Sequence, residues 1–426
     1  MNKLSELSAT HSLRTVSSLI QVSLDRKVLM SDKKQVIIIG AGASGLMAGI
    51  MAARGGAGVT ILEKEKRPGR KLLRTGNGRC NLTNTGDMRY AYHGTDPGFA
   101  ARALDAFSVQ DTIRFFTEIG LYTTSRSGWV YPYAEQAESV LACLLREAAK
   151  LKIKIKNNET VTAVTKDKDR FCAQTSTWTY RADSVILCCG TAASLVKSQL
   201  PCNGLMLAES FGHSTVPQRP SLVPLVCEGA SKKGWGGVRI QGKCTLCVND
   251  VELASETGQI QLTEQGVSGI PVFNISGKAL ILKDGGLPVT LKLDFFPDFD
   301  RAMAQAFLDK RRDMLGTDDM KSVLTGLFPE KLIPALTGGA HSIKELTDNI
   351  KSCELQVKGS AGAGSAQVMS GGIRTDEVNA ATSESLICPG LFITGELLDI
   401  DGACGGWNLQ FAWSTGANAG RHAASH

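Results

Sequence analysis

The fold of this chain is decided by ten residues, Val36-Ile37-Ile38-Ile39-Gly40-Ala41-Gly42-Ala43-Ser44-Gly45. The first four are apolar and β-branched, which is typical of a parallel strand buried on both faces. A glycine loop follows directly, and an apolar stripe then predicts a helix through about Arg54. Because Val59-Thr60-Ile61-Leu62 predicts a second strand, the segment is interpreted as one βαβ unit.

The glycines of this loop have the spacing of a dinucleotide-binding fingerprint. Gly40 permits a tight turn, Gly42 lets the backbone approach a pyrophosphate, and Gly45 lets helix and strand pack closely. The N-terminus of the helix offers free N–H groups and a positive dipole end to the phosphates. Glu63 ends the second strand, where its carboxylate can accept from ribose hydroxyls and disfavours a 2′-phosphate. The unit therefore predicts an FAD or NAD site and not an NADP site.

A basic, glycine-rich segment follows the second strand over residues 70–84, and its sequence is RKLLRTGNGRCNLTN. Positive charges, glycines and small amides make a poor core segment but a suitable loop for cradling an anion. We therefore expect this segment to contribute to the same cofactor site.

The C-terminal segment has a second set of features that suit a flavin. An apolar strand at 391–394 ends in Gly395-Glu396 and can place Asp399 or Asp401 near a ribityl chain. Gly405-Gly406 permits close backbone approach, and a helix that begins near Asn408 can direct its N-terminus at the pyrimidine edge of the ring. That edge gains negative charge on reduction, so a helix dipole there stabilises the reduced form.

The predicted site has a cofactor-binding set and two catalytic candidates. The predicted cofactor-binding residues are Gly40, Gly42, Ala43, Ser44, Gly45, Glu63, Lys64, Arg70, Lys71, Thr75, Gly76, Asn77, Gly78, Arg79, Cys80, Asn81, Val161, Gly190, Gly395, Glu396, Asp399, Gly405, Gly406, Asn408 and Leu409. The catalytic candidates are Tyr131 and Tyr133 in the run WVYPY at 129–133, an aromatic run that can also be core.

The order of the predicted elements implies a doubly wound α/β domain in two pieces. Helical patterns cover 97–120 and 135–150, strands 152–188, antiparallel strands 220–294 and helices 298–352. We predict an extension at 1–34, a first cofactor-domain piece at 35–190, an insertion at 191–372 and a second piece at 373–426. The extension has no apolar core or cleavage site, so it is interpreted as disordered or as the product of an upstream start codon.

Residues 36–84 resemble the HI0933-like family of bacterial FAD-dependent oxidoreductases, through the strand, the glycine loop, Glu63-Lys64 and the run GNGRCNLTN at 76–84. The similarity continues at 266–271, 370–373, 394–402 and 405–410 and covers about 35–422. It implies a discontinuous, Rossmann-like FAD-binding domain of the glutathione reductase type, interrupted by a β-barrel plus helical insertion. The chain departs from the family at 189–203, which lacks the usual glycine-rich sequence and begins CGTAA, and at Glu264, where a histidine is common. Both differences lie near the expected substrate position.

The resemblance implies an FAD-dependent oxidoreductase that holds its flavin noncovalently. The reaction favoured for this enzyme is NAD(P)H-dependent reduction of a conjugated C=C bond in a small apolar substrate, such as a 3-oxo bile-acid intermediate. Aminoacetone-type amine oxidation, FAD-dependent RNA modification and a non-catalytic flavin protein are the alternatives. We find no second dinucleotide fingerprint, so NAD(P)H is expected to bind transiently. An apolar cleft in the insertion is predicted from Leu222, Val223, Leu225, Ile270 and Phe273.

Composition disfavours several other classes of protein. The net charge of +6 is mild and no basic block is present, so nucleic acid is an unfavoured partner. No apolar run reaches the ~18 residues that a membrane span needs. The cysteines are scattered, Cys244 and Cys247 lie in an alternating strand, and no metal-ligand spacing occurs. These features predict reduced thiols in a cytoplasmic protein without a bound metal, and they leave the oligomeric state open.

Overall fold

The computed structural model describes residues 33–191, 193 and 204–425, so the predicted extension lies almost wholly outside the described residues. The described strands are β1 Gln35–Ile39, β2 Gly58–Glu63, β3 Thr83–Asn84, β4 Tyr92–His93, β5 Thr123–Arg126, β6 Trp129–Pro132, β7 Lys154–Asn157, β8 Val161–Asp167, β9 Arg170–Thr175, β10 Thr179–Ala182, β11 Ser184–Leu187, β12 Thr215–Ser221, β13 Leu225–Cys227, β14 Arg239–Val248, β15 Val251–Leu262, β16 Gly266–Gly269, β17 Val289–Asp294, β18 Cys353–Ser360, β19 Val368–Ile373, β20 Leu391–Ile393 and β21 Asp401–Gly402.

The described helices pack on both faces of one sheet and around one barrel. The α-helices are α1 Ala43–Arg54, α2 Gly98–Ala106, α3 Val109–Glu118, α4 Ala137–Lys150, α5 Gly204–Glu209, α6 Ile270–Asp284, α7 Arg301–Leu315, α8 Met320–Leu324, α9 Ile333–Thr337, α10 Ile343–Lys351 and α11 Trp407–Ser425. Short 3₁₀ segments occur at Leu72–Gly78, Ala230–Lys233, Ala363–Ser365, Thr375–Glu377 and Gly395–Leu397.

A five-stranded parallel sheet in the order β20-β11-β1-β2-β7 forms the centre of the first domain. Val36 and Ile38 of β1 pack into the apolar core on one face, and Ile37 and Ile39 pack into the core on the other. A strand buried on both faces has no polar side, which explains the continuous apolar run in the sequence. Since β20 joins this sheet from the far end of the chain, the predicted two-piece α/β domain is confirmed.

The last helix, α11, lies directly on the first helix, α1. A Cβ built on Gly416 would be 2.4 Å from the carbonyl oxygen of Ser44, and one built on Gly420 would be 2.3 Å from that of Ala48. Two glycines four residues apart share one helix face, so the two backbones touch where a side chain would separate them. This contact fastens the C-terminal segment to the glycine loop.

The second domain is a closed barrel in the order β13-β16-β15-β14-β17-β18, with α7 to α10 packed against it. It confirms the predicted β-barrel plus helical insertion. The prediction of antiparallel strands throughout 220–294 was wrong for α6, which spans Ile270–Asp284. That helix is apolar on several sides, so it lacks the polar face that identifies a helix in a sequence. Gly269 with φ +103° and Pro271 at the start of the helix define its N-terminus.

An antiparallel pair of strands connects the two domains. β12 leaves the first domain and β19 returns to it, with Ser221 opposite Val368. Leu207 and Ala208 of α5 belong to the core of the parallel sheet, although they lie within the predicted insertion at 191–372. The domain bounds themselves stay a prediction. In the part of the chain that the structure describes, no helix has the length and apolar character of a membrane span.

Candidate active site

The glycine loop after β1 leaves an open cradle. A Cβ on Gly45 would lie 1.9 Å from the carbonyl oxygen of Gly40, and Gly40 has φ +106°, so both positions require glycine. A Cβ on Gly42, in contrast, would meet no described atom within 4 Å. Ala43 and Ser44 begin α1 at the edge of this space. The loop thus combines tight packing behind it with free space in front, as a bound pyrophosphate requires.

Glu63 holds the loop in this shape. Its Oε2 accepts from the backbone N–H of Ala41 at 2.7 Å, and its Oε1 accepts from the N–H of Glu65 at 2.9 Å. The carboxylate is buried at the end of β2. Each carboxylate oxygen has more than one lone pair, so these bonds leave acceptor capacity for a ribose hydroxyl. The ribose contact itself stays a prediction.

The predicted anion loop has a strongly curved backbone between Thr75 and Asn81. Gly76, Asn77 and Cys80 all have φ between +55° and +58°, and Gly78 has φ +84°. Residues other than glycine rarely adopt this left-handed backbone conformation, so surrounding contacts must hold the loop in this shape. Burial raises the pKa of the Cys80 thiol to about 12, so this thiol is neutral at physiological pH. A neutral, buried thiol is not a redox-active one.

Asn81 provides the clearest evidence for a ligand site in this part of the structure. Its side chain is 7% exposed, and neither amide atom has a hydrogen-bond partner among the described residues. A buried amide without partners is rare in folded proteins, because each unpaired group costs about 1–3 kcal/mol. The amide oxygen would lie 2.9 Å from a Cβ on Gly406, so it faces the Gly405-Gly406 turn. A ligand with donor and acceptor groups, such as a flavin ring, would satisfy both amide atoms.

The segment at 82–84 is joined to the C-terminal segment by three hydrogen bonds. Asn84 Nδ2 donates to the carbonyl oxygen of Gly405 at 2.8 Å. Thr83 Oγ1 donates to Gln410 Oε1 at 2.5 Å, and Trp413 Nε1 donates to the carbonyl oxygen of Leu82 at 2.9 Å. The structure therefore brings together two predicted parts of the site that are more than 300 residues apart in the chain.

The acidic residues of the C-terminal segment have protein partners. Glu396 forms an ion pair with Lys71 and accepts from the N–H of Met369 at 3.1 Å. Asp399 Oδ2 accepts from the hydroxyl of Thr95 at 2.6 Å and from its N–H at 3.0 Å. Both carboxylates join segments of the fold around the site. The cofactor contact of Glu396 and the ribityl contact of Asp399 or Asp401 stay predictions.

The other predicted residues occupy varied positions. Gly395 has φ +62° and donates its N–H to Thr415 Oγ1 at 2.9 Å. Asn408 bonds to both the N–H and the carbonyl of Gly402. The further positions are Lys64, half-buried after β2; Arg70, paired with Glu65 at 3.1 Å; Val161, buried at the start of β8; Gly190, with φ +66° after β11; and Leu409, packed against the apolar core of α1.

Two contacts that the sequence did not indicate connect the C-terminal segment to β12 and to α6. Ser221 Oγ donates to Asp401 Oδ2 at 2.9 Å, and the N–H of Cys404 donates to Asn274 Oδ1 at 2.9 Å. Burial raises the pKa of the Asp401 carboxyl, and the imidazole of His93 lies 3.9 Å from it. These contacts place the interface of the two domains immediately beside the Gly405-Gly406 turn. A serine and an asparagine carry no motif, so sequence patterns did not single them out.

The two tyrosine candidates differ in position. Tyr131 is half-buried and lines a cavity of about 230 Å³, and burial raises the pKa of its hydroxyl. Tyr133 is 78% exposed. The ring of Trp129 would lie 3.0 Å from a Cβ on Gly405, so its indole rests on the glycine turn. Of the two tyrosines, Tyr131 is thus the one that is partly enclosed and lines a cavity.

The predicted apolar cleft was wrong for Val223 and Leu225. Both are buried inside the barrel core, where they pack with residues of β14 to β18. Leu222 is also buried, Phe273 is half-buried, and Ile270 is 45% exposed. In strand sequences, apolar residues that face the barrel interior cannot be distinguished from residues that line a cleft, because both alternate with polar positions.

The residues present fit an FAD molecule. The cradle at Gly42 with Glu63 would hold the ADP half, and the unpaired Asn81 with the Gly405-Gly406 turn would hold the ring half. When bound, FAD supplies hydride transfer, and the protein supplies orientation and exclusion of water. The fold and the site define a flavin-dependent oxidoreductase.

Comparison with known proteins agrees with this class. The family model described as "HI0933-like protein Rossmann domain" matches residues 34–422, and the chain belongs to this family. It is 40% identical over 402 residues to a 3-dehydro-bile acid delta(4,6)-reductase of Clostridium scindens, with 91% of this chain and 98% of that protein covered. It is also similar to ribosomal RNA dihydrouridine synthases of Escherichia coli (27% identical; 90% of this chain and 96% of that protein) and Haemophilus influenzae (30% identical; 91% and 97%).

Substitution of Asn81 by leucine is expected to have opposite effects on the empty and the loaded protein. Without FAD, removal of an unpaired buried amide raises the free energy of unfolding by about 1–2 kcal/mol. With FAD, loss of the amide contacts weakens binding about 10-fold. Thermal unfolding of the apoprotein and titration with FAD measure the two effects. A less stable apoprotein with unchanged FAD affinity would show that Asn81 is only a packing residue.

Proposed function

We propose that this protein reduces a conjugated C=C bond of a 3-oxo steroid, such as a 3-dehydro bile acid, with NAD(P)H as the electron donor. The observation that carries the proposal is the 40% identity to the bile-acid reductase over 98% of that protein's length. The unpaired Asn81 and the open cradle at Gly42 support a bound flavin between the two reactants.

The net reaction converts NAD(P)H, one proton and the conjugated ketone into NAD(P)⁺ and the saturated ketone. The hydride is added to the carbon β to the carbonyl, and the proton is added to the α carbon. Tyr131, the half-buried catalytic candidate, is proposed to contact the substrate in the cavity beside the glycine turn. Since no second dinucleotide fingerprint occurs, NAD(P)H is proposed to bind transiently.

A second candidate is reduction of uridine in ribosomal RNA. Two dihydrouridine synthases are similar to this chain over nine-tenths of its length. The chemistry is of the same kind, because the C=C bond of a uracil ring is conjugated to a carbonyl. The lower identity of these relatives, 27% and 30% against 40%, places this candidate second. The described contacts do not specifically favour amine oxidation.

Product analysis separates the two candidates. The FAD-loaded protein is incubated under nitrogen with NADH or NADPH and either a 3-oxo-4-ene steroid acid or a uridine-containing ribosomal RNA fragment. We expect the steroid to gain two mass units and the RNA to stay unchanged. Saturated uridine without steroid reduction would establish the second candidate.

A further inference from the structure

The small cavity beside the glycine turn has a lining with both charged and aromatic groups. It measures about 230 Å³, and its lining residues are Arg79, Arg126, Trp129, Tyr131 and Glu135. Arg126 pairs with Glu135 at 2.5 Å, and Arg79 lies 4.0 Å from the same carboxylate. Two guanidinium groups share one carboxylate, so the cavity keeps one uncompensated positive charge.

This cavity is adjacent to the candidate flavin site. β6, which carries Trp129 and Tyr131, pairs with Thr83–Asn84 of the cofactor loop. Asn84 in turn bonds to the carbonyl of Gly405, and the Trp129 ring rests on that glycine. A ligand in the cavity therefore lies one strand away from the segment that contains the unpaired Asn81. An apolar molecule that reacts at the flavin can place its far end there.

We propose that this cavity is a subsite for the carboxylate end of an apolar substrate. Arg126 and Arg79 would bind the carboxylate, and the Trp129 and Tyr131 rings would pack against the adjoining hydrocarbon. Guanidinium groups match carboxylates in shape and charge. Arg126 is the main ligand, because its guanidinium forms the 2.5 Å contact with the carboxylate already present. The inference rests on the proposed function for the identity of the substrate.

Glu135 occupies the place of the ligand carboxylate in this arrangement. The Arg126–Glu135 pair is exposed to solvent, with 69% of the arginine side chain and 33% of the glutamate side chain accessible. Exposed ion pairs are weak, so a carboxylate with additional apolar contacts can displace Glu135. Glu135 is also held with φ +50°, an uncommon conformation for a side chain of this type. It thus acts as an internal competitor that admits only ligands with apolar contacts of their own.

Binding of cholate and its methyl ester tests the subsite without turnover. Cholate is a saturated steroid carboxylate that the enzyme cannot reduce, and the ester differs from it by the charge. We expect the wild-type protein, with and without FAD, to bind cholate about 10-fold more tightly than the ester in equilibrium dialysis. R126Q is expected to remove this difference and to leave binding of the ester unchanged. E135Q is expected to bind cholate about 3-fold more tightly than the wild type.

Arg114 provides the matched control, because it is an equally exposed arginine paired with an aspartate, at 68% side-chain accessibility. R114Q is expected to bind cholate like the wild type. Equal affinity for cholate and ester, or no binding of cholate, would overturn the subsite. If R126Q keeps its affinity for cholate but loses affinity for NADPH or for a uridine oligonucleotide, the cavity binds the phosphate of that ligand. That result would also overturn the carboxylate subsite. If cholate binds as expected but no steroid is reduced, only the proposed function fails.

Discussion

Substitution of Gly42 by aspartate is expected to weaken FAD binding at least 100-fold while the protein stays folded. Gly42 has φ −82°, which any residue adopts, and a side chain there enters open space. The new carboxylate would lie where the pyrophosphate binds, and like charges about 4 Å apart in a partly buried site repel by up to about 4 kcal/mol. A 100-fold loss corresponds to about 2.7 kcal/mol. Titration of the apoprotein with FAD, monitored by flavin fluorescence, measures this loss of affinity.

The matched control is Gly359→Asp at the end of β18 in the barrel domain. A Cβ at Gly359 also meets no described atom within 4 Å, so the substitution adds the same charge to open space. FAD affinity is expected to stay within 2-fold of the wild type in this variant, because the new charge lies outside the cradle. Equal losses in both variants would show that added negative charge, and not the position of the cradle, reduces binding.

Substitution of Gly416 by alanine is expected to destabilise the first domain by about 1–3 kcal/mol, the usual range for an overpacked contact. The new methyl group would lie 2.4 Å from the carbonyl oxygen of Ser44, closer than atoms can approach. α11 must therefore move away from α1 at the start of the glycine loop. Because Ser44 borders the cradle, FAD affinity is expected to fall in the same variant. Differential scanning calorimetry measures the decrease in unfolding temperature, which is about 2–4 °C for each kcal/mol in a domain of this size.

Gly359→Ala serves as the control for this experiment, since its methyl group has free space. Its unfolding temperature is expected to stay close to that of the wild type. An unchanged unfolding temperature in Gly416→Ala would contradict the close packing of the two helices. It would also remove the physical reason why the C-terminal segment is fixed beside the glycine loop.

The parts of the fold that the sequence predicted are those with a local pattern. The apolar run at 36–39 and the spacing of Gly40, Gly42 and Gly45 each lie within a few residues, so the βαβ unit needs no knowledge of the rest of the chain. The helix α6 was missed because Val272, Ile275 and its other apolar residues leave no polar face. Periodicity fails where an element is buried on several sides.

The parts of the site that the sequence did not predict depend on contacts between distant segments. Ser221 bonds to Asp401, and these residues are 180 positions apart. The spacing of Gly416 and Gly420 is visible in the sequence, but the helix that they touch is not. The unpaired state of Asn81 is a property of its surroundings in three dimensions, and no sequence pattern reports it.

Anaerobic absorption spectroscopy of the FAD-loaded protein tests the central claim most directly. NADH or NADPH is added first, and then a 3-oxo-4-ene steroid acid is added under nitrogen. The account predicts that a nicotinamide nucleotide bleaches the flavin absorption and that the conjugated steroid restores it, whereas its saturated counterpart does not. A flavin that no nicotinamide nucleotide reduces, or a protein that retains no FAD after reconstitution, would contradict it.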